Sequence, residues 1–276
     1  MPPDTNDGHA AEPDDAEIGF PPVPELDRVV RLENPSLDDY VAASSAYVLD
    51  GRQLPTKGTD ESRSAKAAQG ELSKVLGRVL AHDLNARHKE LVISELGEGV
   101  LDRPKRQRPH LIEPEAGEKR VAGGLRTVQS DVTEAHELDG VRLAVEIKPS
   151  YRAVGRAIWN RYGDVRAFAV NIHLKFPFAV VGGVQVLPTI DIEEDGSRSK
   201  TRTYLSRAAR RHDRIRPRVS EADADHLVEA LGLVIFDPET GELDPDLPAA
   251  DSRLRWEGFV ASLVEAYDAR FGAESD

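Results

Sequence analysis

The chain has 276 residues, of which 39% are hydrophobic and 31% charged, enough apolar content to build a sizeable core. A formal charge of −13 excludes a uniformly basic nucleic-acid-binding module. The absence of cysteine excludes disulfide scaffolds, Cys-based zinc sites, Fe–S clusters and thiol catalysis. No apolar run reaches membrane-spanning length, and the acidic, Pro-rich start is unlike a secretory signal, so a cytoplasmic protein with no membrane partner is expected.

Residues 1–24 hold six prolines, six carboxylates and no Lys or Arg, a composition that points to a disordered acidic tail. Residues 25–276 then read as a single domain. A short helix is predicted over 36–47, capped by Ser36. From 61 to 88, Ala65, Ala68, Leu72, Val75, Leu76, Val79 and Leu80 recur at helical spacing and predict a long amphipathic helix. Leu91, Val92 and Ile93 predict a strand, and 102–124 a basic irregular loop that includes Lys105 and Arg106.

Residues 125–137 and 141–148 alternate apolar and polar around Asp139-Gly140, which predicts an antiparallel hairpin. A helix over 151–175 follows, then a nearly all-apolar strand over 178–187. A basic helix over 197–214, a buried strand at 233–236 and a helix over 252–271 complete the chain. Gly123-Gly124 and Gly182-Gly183 match no phosphate-binding loop and are read as a turn and a close packing contact.

The hairpin carries the chemistry. With Val141, Leu143, Val145 and Ile147 facing the core, Glu146 and Lys148 share the other face. Two registers are open, with Asp131 opposite Lys148 for a two-residue turn or opposite Glu146 for a four-residue turn. Both put Asp131 on the face of Glu146 and Lys148, and leave Glu134 on the core side. Asp131 and Glu146 can ligate a divalent cation, Mg²⁺ being favoured because it needs few protein carboxylates. Lys148 would position or deprotonate the attacking water, and the reaction implied is phosphodiester hydrolysis.

Asp131, followed after 14 intervening residues by Glu146-Ile147-Lys148, resembles the signature of the PD-(D/E)xK nuclease superfamily, and the order of elements is similar to the αβββαβ core of restriction endonuclease-like proteins. Ser130 departs from the proline that many members carry. The resemblance covers residues 61–187, with 188–276 as a basic helix and C-terminal extension. It implies a central mixed sheet flanked by helices and a DNA substrate. It further implies Glu71 as an added helical acid, Mn²⁺ as a substitute metal, and a restriction or antiphage role. A homodimer and a partner methyltransferase or defence-system ATPase belong to the same expectation. A non-catalytic nucleic-acid-binding or regulatory subunit with this fold is the alternative.

Phosphate contacts call for basic clusters. Residues 197–220 carry a net +8, with Arg207, Arg211 and Arg214 at helical spacing. Arg152, Arg156 and Asn160 follow at four-residue intervals on the helix after Lys148, and Lys105 and Arg106 are further candidates. Trp159 and Tyr162 are read as core or interface residues that could also stack on bases.

Overall fold

A computed structural model describes residues 24–50, 60–88, 111–115, 118–136, 138–192 and 197–272. The chain starts with helices α1 (Pro24–Arg31), α2 (Leu37–Leu49) and α3 (Asp60–Arg87). Ser36 closes a reciprocal cap on α2: its hydroxyl accepts the Asp39 N–H at 3.1 Å, and the Asp39 carboxylate accepts the Ser36 N–H at 3.2 Å. Strands β1 (Leu111–Glu115), β2 (Glu118–Ala122), β3 (Thr127–Ser130), β4 (Val132–His136) and β5 (Gly140–Pro149) precede helix α4 (Val154–His173). Then come β6 (Val180–Pro188), β7 (Ile190–Ile192), β8 (Arg198–Lys200), α5 (Arg202–His212), β9 (Ala230–Asp237), β10 (Glu242–Leu243) and α6 (Trp256–Phe271).

The main sheet is mixed and five-stranded, in the order β10-β9-β6-β5-β4, with β5, β6 and β9 parallel and the two edges antiparallel. Its side chains sort by alternation into two cores. Leu143, Val145, Ile147, Val184 and Val186 pack with the first three helices and α6. Ala144, Val181, Leu187, Leu231 and Leu233 pack with Val154, Ile158 and Val165 of α4 and Leu205 and Ala208 of α5. The fold is therefore mixed α/β with helices on both faces of the sheet.

Strand β6 is buried along its whole length, as its nearly all-apolar run predicts. Gly182 and Gly183 let helices approach from opposite sides. A Cβ at Gly182 would meet Leu263 and Phe259 of α6 at 3.0 and 3.3 Å, and one at Gly183 would meet Val165 of α4 at 2.4 Å. Among the described residues no helix is long and apolar enough to cross a membrane.

Three expectations are corrected. The predicted irregular loop contains β1 and β2, which pair with β3 into a separate three-stranded sheet; tertiary pairing such as Val121↔Val128 overrides the local Pro and Gly signals, and Pro114 sits at a register shift. The basic segment begins as strand β8, paired with β7, and is helical only from Arg202. The single strand expected over 125–137 breaks at Asp131. There the Ser130 hydroxyl donates to the carbonyls of Val132 at 2.8 Å and Val145 at 3.3 Å, beside the Asp131 N–H that the Val145 carbonyl also accepts. The strand expected at 91–93 and the tail at 1–23 lie outside the described residues.

Candidate active site

Strand β5 sends Leu143, Val145 and Ile147 toward α3 and Ala144 toward α4, so Glu146 and Lys148 fall on the α4 side of the sheet. The pairs Val132↔Val145, Thr133↔Ala144 and Glu134↔Leu143 extend to set Asp131 beside Glu146. This is the longer-turn register, and it slips by one residue between Glu134 and Ala135. Asp131 donates its N–H to the Val145 carbonyl at 3.0 Å, and its Oδ2 accepts the Ile147 N–H at 2.5 Å. The break between β3 and β4 thus turns a carboxylate onto the peptide that joins Glu146 to Ile147.

Lys148 Nζ forms an ion pair with Glu146 Oε1, the two side chains being 26% and 11% exposed. Burial pushes the Glu146 carboxyl above its ordinary pKa. Lys148, by charge and hydrogen bond, and Arg126, by charge, pull it down, while Asp164 pushes it further up. Arg126 and Asp164 were not singled out from the sequence, and each depends on α4. The loop holding Arg126 is tied to buried Asn171, whose Oδ1 accepts the N–H groups of Leu125 at 3.3 Å and Arg126 at 3.1 Å. Asp164 stands one turn after Asn160 and pairs with Arg161 at 3.0 Å. The nearest sequence signal was Asn171, a polar residue next to the apolar stripe of the helix.

Helix α4 is fixed at its start by Asp191 of β7, whose carboxylate accepts the N–H groups of Ala153 at 3.0 Å and Val154 at 2.9 Å. Ala153 adopts φ 50°, a left-handed conformation that this carboxylate holds in place. Among the described residues, some of the buried polar atoms without hydrogen-bond partners lie on the same side of the sheet: both amide atoms of Gln185, which is in register with Lys148, and Thr133 Oγ1, in register with Ala144.

The residues present fit a small hard cation. Asp131 and Glu146 supply two carboxylates from one hairpin, and orphaned neutral polar atoms of Gln185 and Thr133 lie on the same side of the sheet as Glu146. Among the described residues no three His, Cys, Asp or Glu side chains gather at one point, so such a cation would complete its shell with neutral oxygens and water.

Not every candidate comes together. Glu71 lies on α3, whose apolar side packs against the opposite face of the sheet from Glu146, and it pairs with Lys74 at 3.2 Å. It is Gly77 of α3 that passes over Asp131, where a Cβ would come 3.3 Å from the Asp131 carbonyl oxygen. Arg156 and Asn160 are exposed on α4, and Arg152 stands just before it. Lys105 and Arg106 lie outside the described residues.

The basic segment is partly neutralised. Arg198 pairs with Glu239 at 2.9 Å, Arg202 with Asp244 and Asp246, Arg216 with Asp223, and buried Arg218 with Glu229 at 3.2 Å. Arg207, Arg211 and Arg214 remain exposed, with no carboxylate in ion-pair range among the described residues. The chain matches no model of a known protein family, and no curated protein and no solved structure is significantly similar to it.

Proposed function

We propose that the protein is a Mg²⁺-dependent deoxyribonuclease that cuts DNA internally, with a restriction endonuclease-like core and a role in restriction or antiphage defence. One observation carries the reading: the Asp131 carboxylate reaches across the hairpin to the Ile147 N–H and so stands beside the Glu146–Lys148 pair. The succession of α3, the β4–β5 hairpin, α4 and the parallel strand β6 supports the same core.

Asp131 and Glu146 would hold the metal. When bound, Mg²⁺, or Mn²⁺ in its place, supplies Lewis-acid stabilisation of phosphoryl charge and lowers the pKa of a coordinated water. Glu146 is suited to this because burial makes its negative charge costly until a cation faces it. Lys148 places an ammonium where the phosphate gains charge and orients the attacking water through its Nζ hydrogens. The water gives up a proton to solvent as its oxygen bonds to phosphorus, the phosphorus–oxygen ester bond breaks, and the departing oxygen takes up a proton from solvent. Arg156 and Asn160, exposed on α4, would bind flanking phosphates.

Incubation of the full chain with linear and circular duplex DNA and with single-stranded DNA in Mg²⁺, Mn²⁺ or EDTA tests the reading. Metal-dependent fragments from the wild type, absent with Asp131→Asn, are expected. DNA binding without cleavage under every condition would replace the reading with that of a non-catalytic binding subunit.

A further inference from the structure

Helix α5 carries a second pattern along its arginine stripe. Tyr204, Arg207 and Arg211 recur at intervals of three and four residues, and Arg214 follows in the turn just past the helix end at His212, so an aromatic ring heads the row of guanidinium groups. Tyr204 is 58% exposed, and its ring lies against Gly155 of α4, where a Cβ would be 3.6 Å away. One turn further along α4 stands Trp159, 40% exposed. Its ring stacks on His212 of α5 at 4.9 Å and 11°, and the Arg211 guanidinium lies 5.7 Å from the ring centroid. His212 is itself buried, so the indole is braced from below.

Single exposed rings are ordinary, but two neighbouring ones bordered by polar groups form a patch of the kind that marks an interaction site. This pair is bordered by Arg207, Arg211 and Arg214, while the carboxylate of Asp213 nearby is engaged by the Ser252 hydroxyl at 2.8 Å. A strip with braced aromatic faces and a row of uncompensated guanidinium groups complements a polymer with π-faces and phosphates together. A duplex presents its phosphates but keeps its base faces stacked inside, whereas a single strand presents both. The strip lies in the helical layer that covers the Glu146–Lys148 side of the sheet, separated from the site by the width of α4, roughly 10 Å.

From this geometry we infer that the groove between α4 and α5 is a stacking platform for single-stranded DNA, with Trp159 and Tyr204 receiving bases and Arg207, Arg211 and Arg214 holding the backbone. This rests on the nuclease reading for the choice of DNA, and it makes an unpaired strand the substrate that reaches Glu146.

The test measures binding in EDTA, where no cleavage occurs. The chain has two tryptophans, and Trp256 is buried with its Nε1 donating to Asp83 at 2.6 Å, so a change in emission on binding reports Trp159. A dT oligonucleotide of about 12 nucleotides should quench this emission, and a duplex of equal length should not. By anisotropy of the labelled oligonucleotide, Trp159→Ala and Arg211→Ala should each weaken binding about 10-fold, the scale of one lost base stack, while Trp159→Phe retains most of the affinity. The phenylalanine variant keeps a ring on His212, which separates lost stacking from lost folding.

Equal quenching by duplex, or affinity unchanged in Trp159→Ala, would overturn the assignment. So would emission that varies with protein concentration alone and loses that dependence in Trp159→Ala, which would put a second copy of the chain on this face. Binding is read in EDTA and cleavage separately in Mg²⁺. Strand binding without metal-dependent cleavage would therefore defeat the nuclease reading alone, and cleavage without dependence on Trp159 would defeat the platform alone.

Discussion

Gly183→Ala probes how closely α4 must sit on the sheet for Asp164 to face Glu146. Gly183 is in register with Glu146, and a Cβ there would stand 2.4 Å from Val165 Cγ1 and 3.0 Å from Cγ2, against the 3.5–4.0 Å of comfortable carbon contact. Val165 is β-branched and buried, so its χ1 has little room to turn and the helix must lift by about 1 Å. Overpacking of this size costs about 1–3 kcal/mol, which at about 2–4 °C per kcal/mol for a chain of this length lowers Tm by about 2–12 °C. Gly163→Ala on the same helix is the control, because no atom lies within 4 Å of its Cβ and the helix gains propensity, up to about 1 kcal/mol. Urea denaturation of both variants and of Gly183→Ala/Val165→Ala would measure these effects, the double variant losing less than the sum of its parts. A Gly183→Ala protein as stable as the wild type would show that the close approach of α4 and β6 is not as described.

Two further perturbations address buried charge. Glu229 accepts the Val181 N–H at 2.8 Å and pairs with Arg218 at 3.2 Å and Arg270 at 2.6 Å. Burial raises its carboxyl, but His173, Arg270 and the Val181 N–H together outweigh burial and hold the pKa below its ordinary value. Glu229→Ala strands buried Arg218, so a loss of about 3–5 kcal/mol is expected in denaturant titration. The wild-type contribution should itself fade as pH falls through the lowered pKa. Glu134 behaves oppositely. Burial raises its carboxyl from 4.5 to about 6 against the pull of Arg142, Tyr267 and Lys119, so the folded state holds a proton that the unfolded state releases. Its contribution to stability is present below pH 4.5 and lost as pH rises to about 6, at most about 2 kcal/mol. Glu134→Gln should flatten the dependence of Tm on pH within that window, and an unaltered profile would assign the slope to another group.

Period-two alternation made the face of Glu146 and Lys148 legible, because one side of β5 is packed by α3 and the pleat leaves no choice for the rest. Strand β6 and the paired roles of Gly182 and Gly183 were legible for the same reason: a run of apolar residues around two glycines needs helices on both faces. The break at Asp131 was not, since it depends on Ser130 and Asp131 side chains bonding main-chain groups, which no propensity records. Nor could composition reveal the fate of the basic segment. Arg202, Arg216 and Arg218 count as positive charge in the sequence, yet each finds a carboxylate supplied by a later part of the chain. Arg126 and Asp164 were not legible because Asn171 and the packing of α4 on the sheet bring them to Glu146, and both are tertiary effects. Glu71 was implied by the resemblance alone, and helical periodicity says which residues share a face of α3 and not which face of the sheet α3 covers.

The decisive measurement is single-turnover cleavage of labelled single-stranded and duplex DNA in Mg²⁺ by the wild type and by Lys148→Ala. Lys148 is partly exposed at the rim of the pair, so its truncation should leave the fold intact. Cleavage by the wild type, at least about 100-fold slower in the variant with DNA affinity unchanged, is the expected result, in line with the loss of one positioned acid–base or electrostatic group. Turnover by Lys148→Ala at the wild-type rate, or no cleavage of either substrate by the wild type, would contradict the assignment of Asp131, Glu146 and Lys148 as a phosphodiester-cutting site.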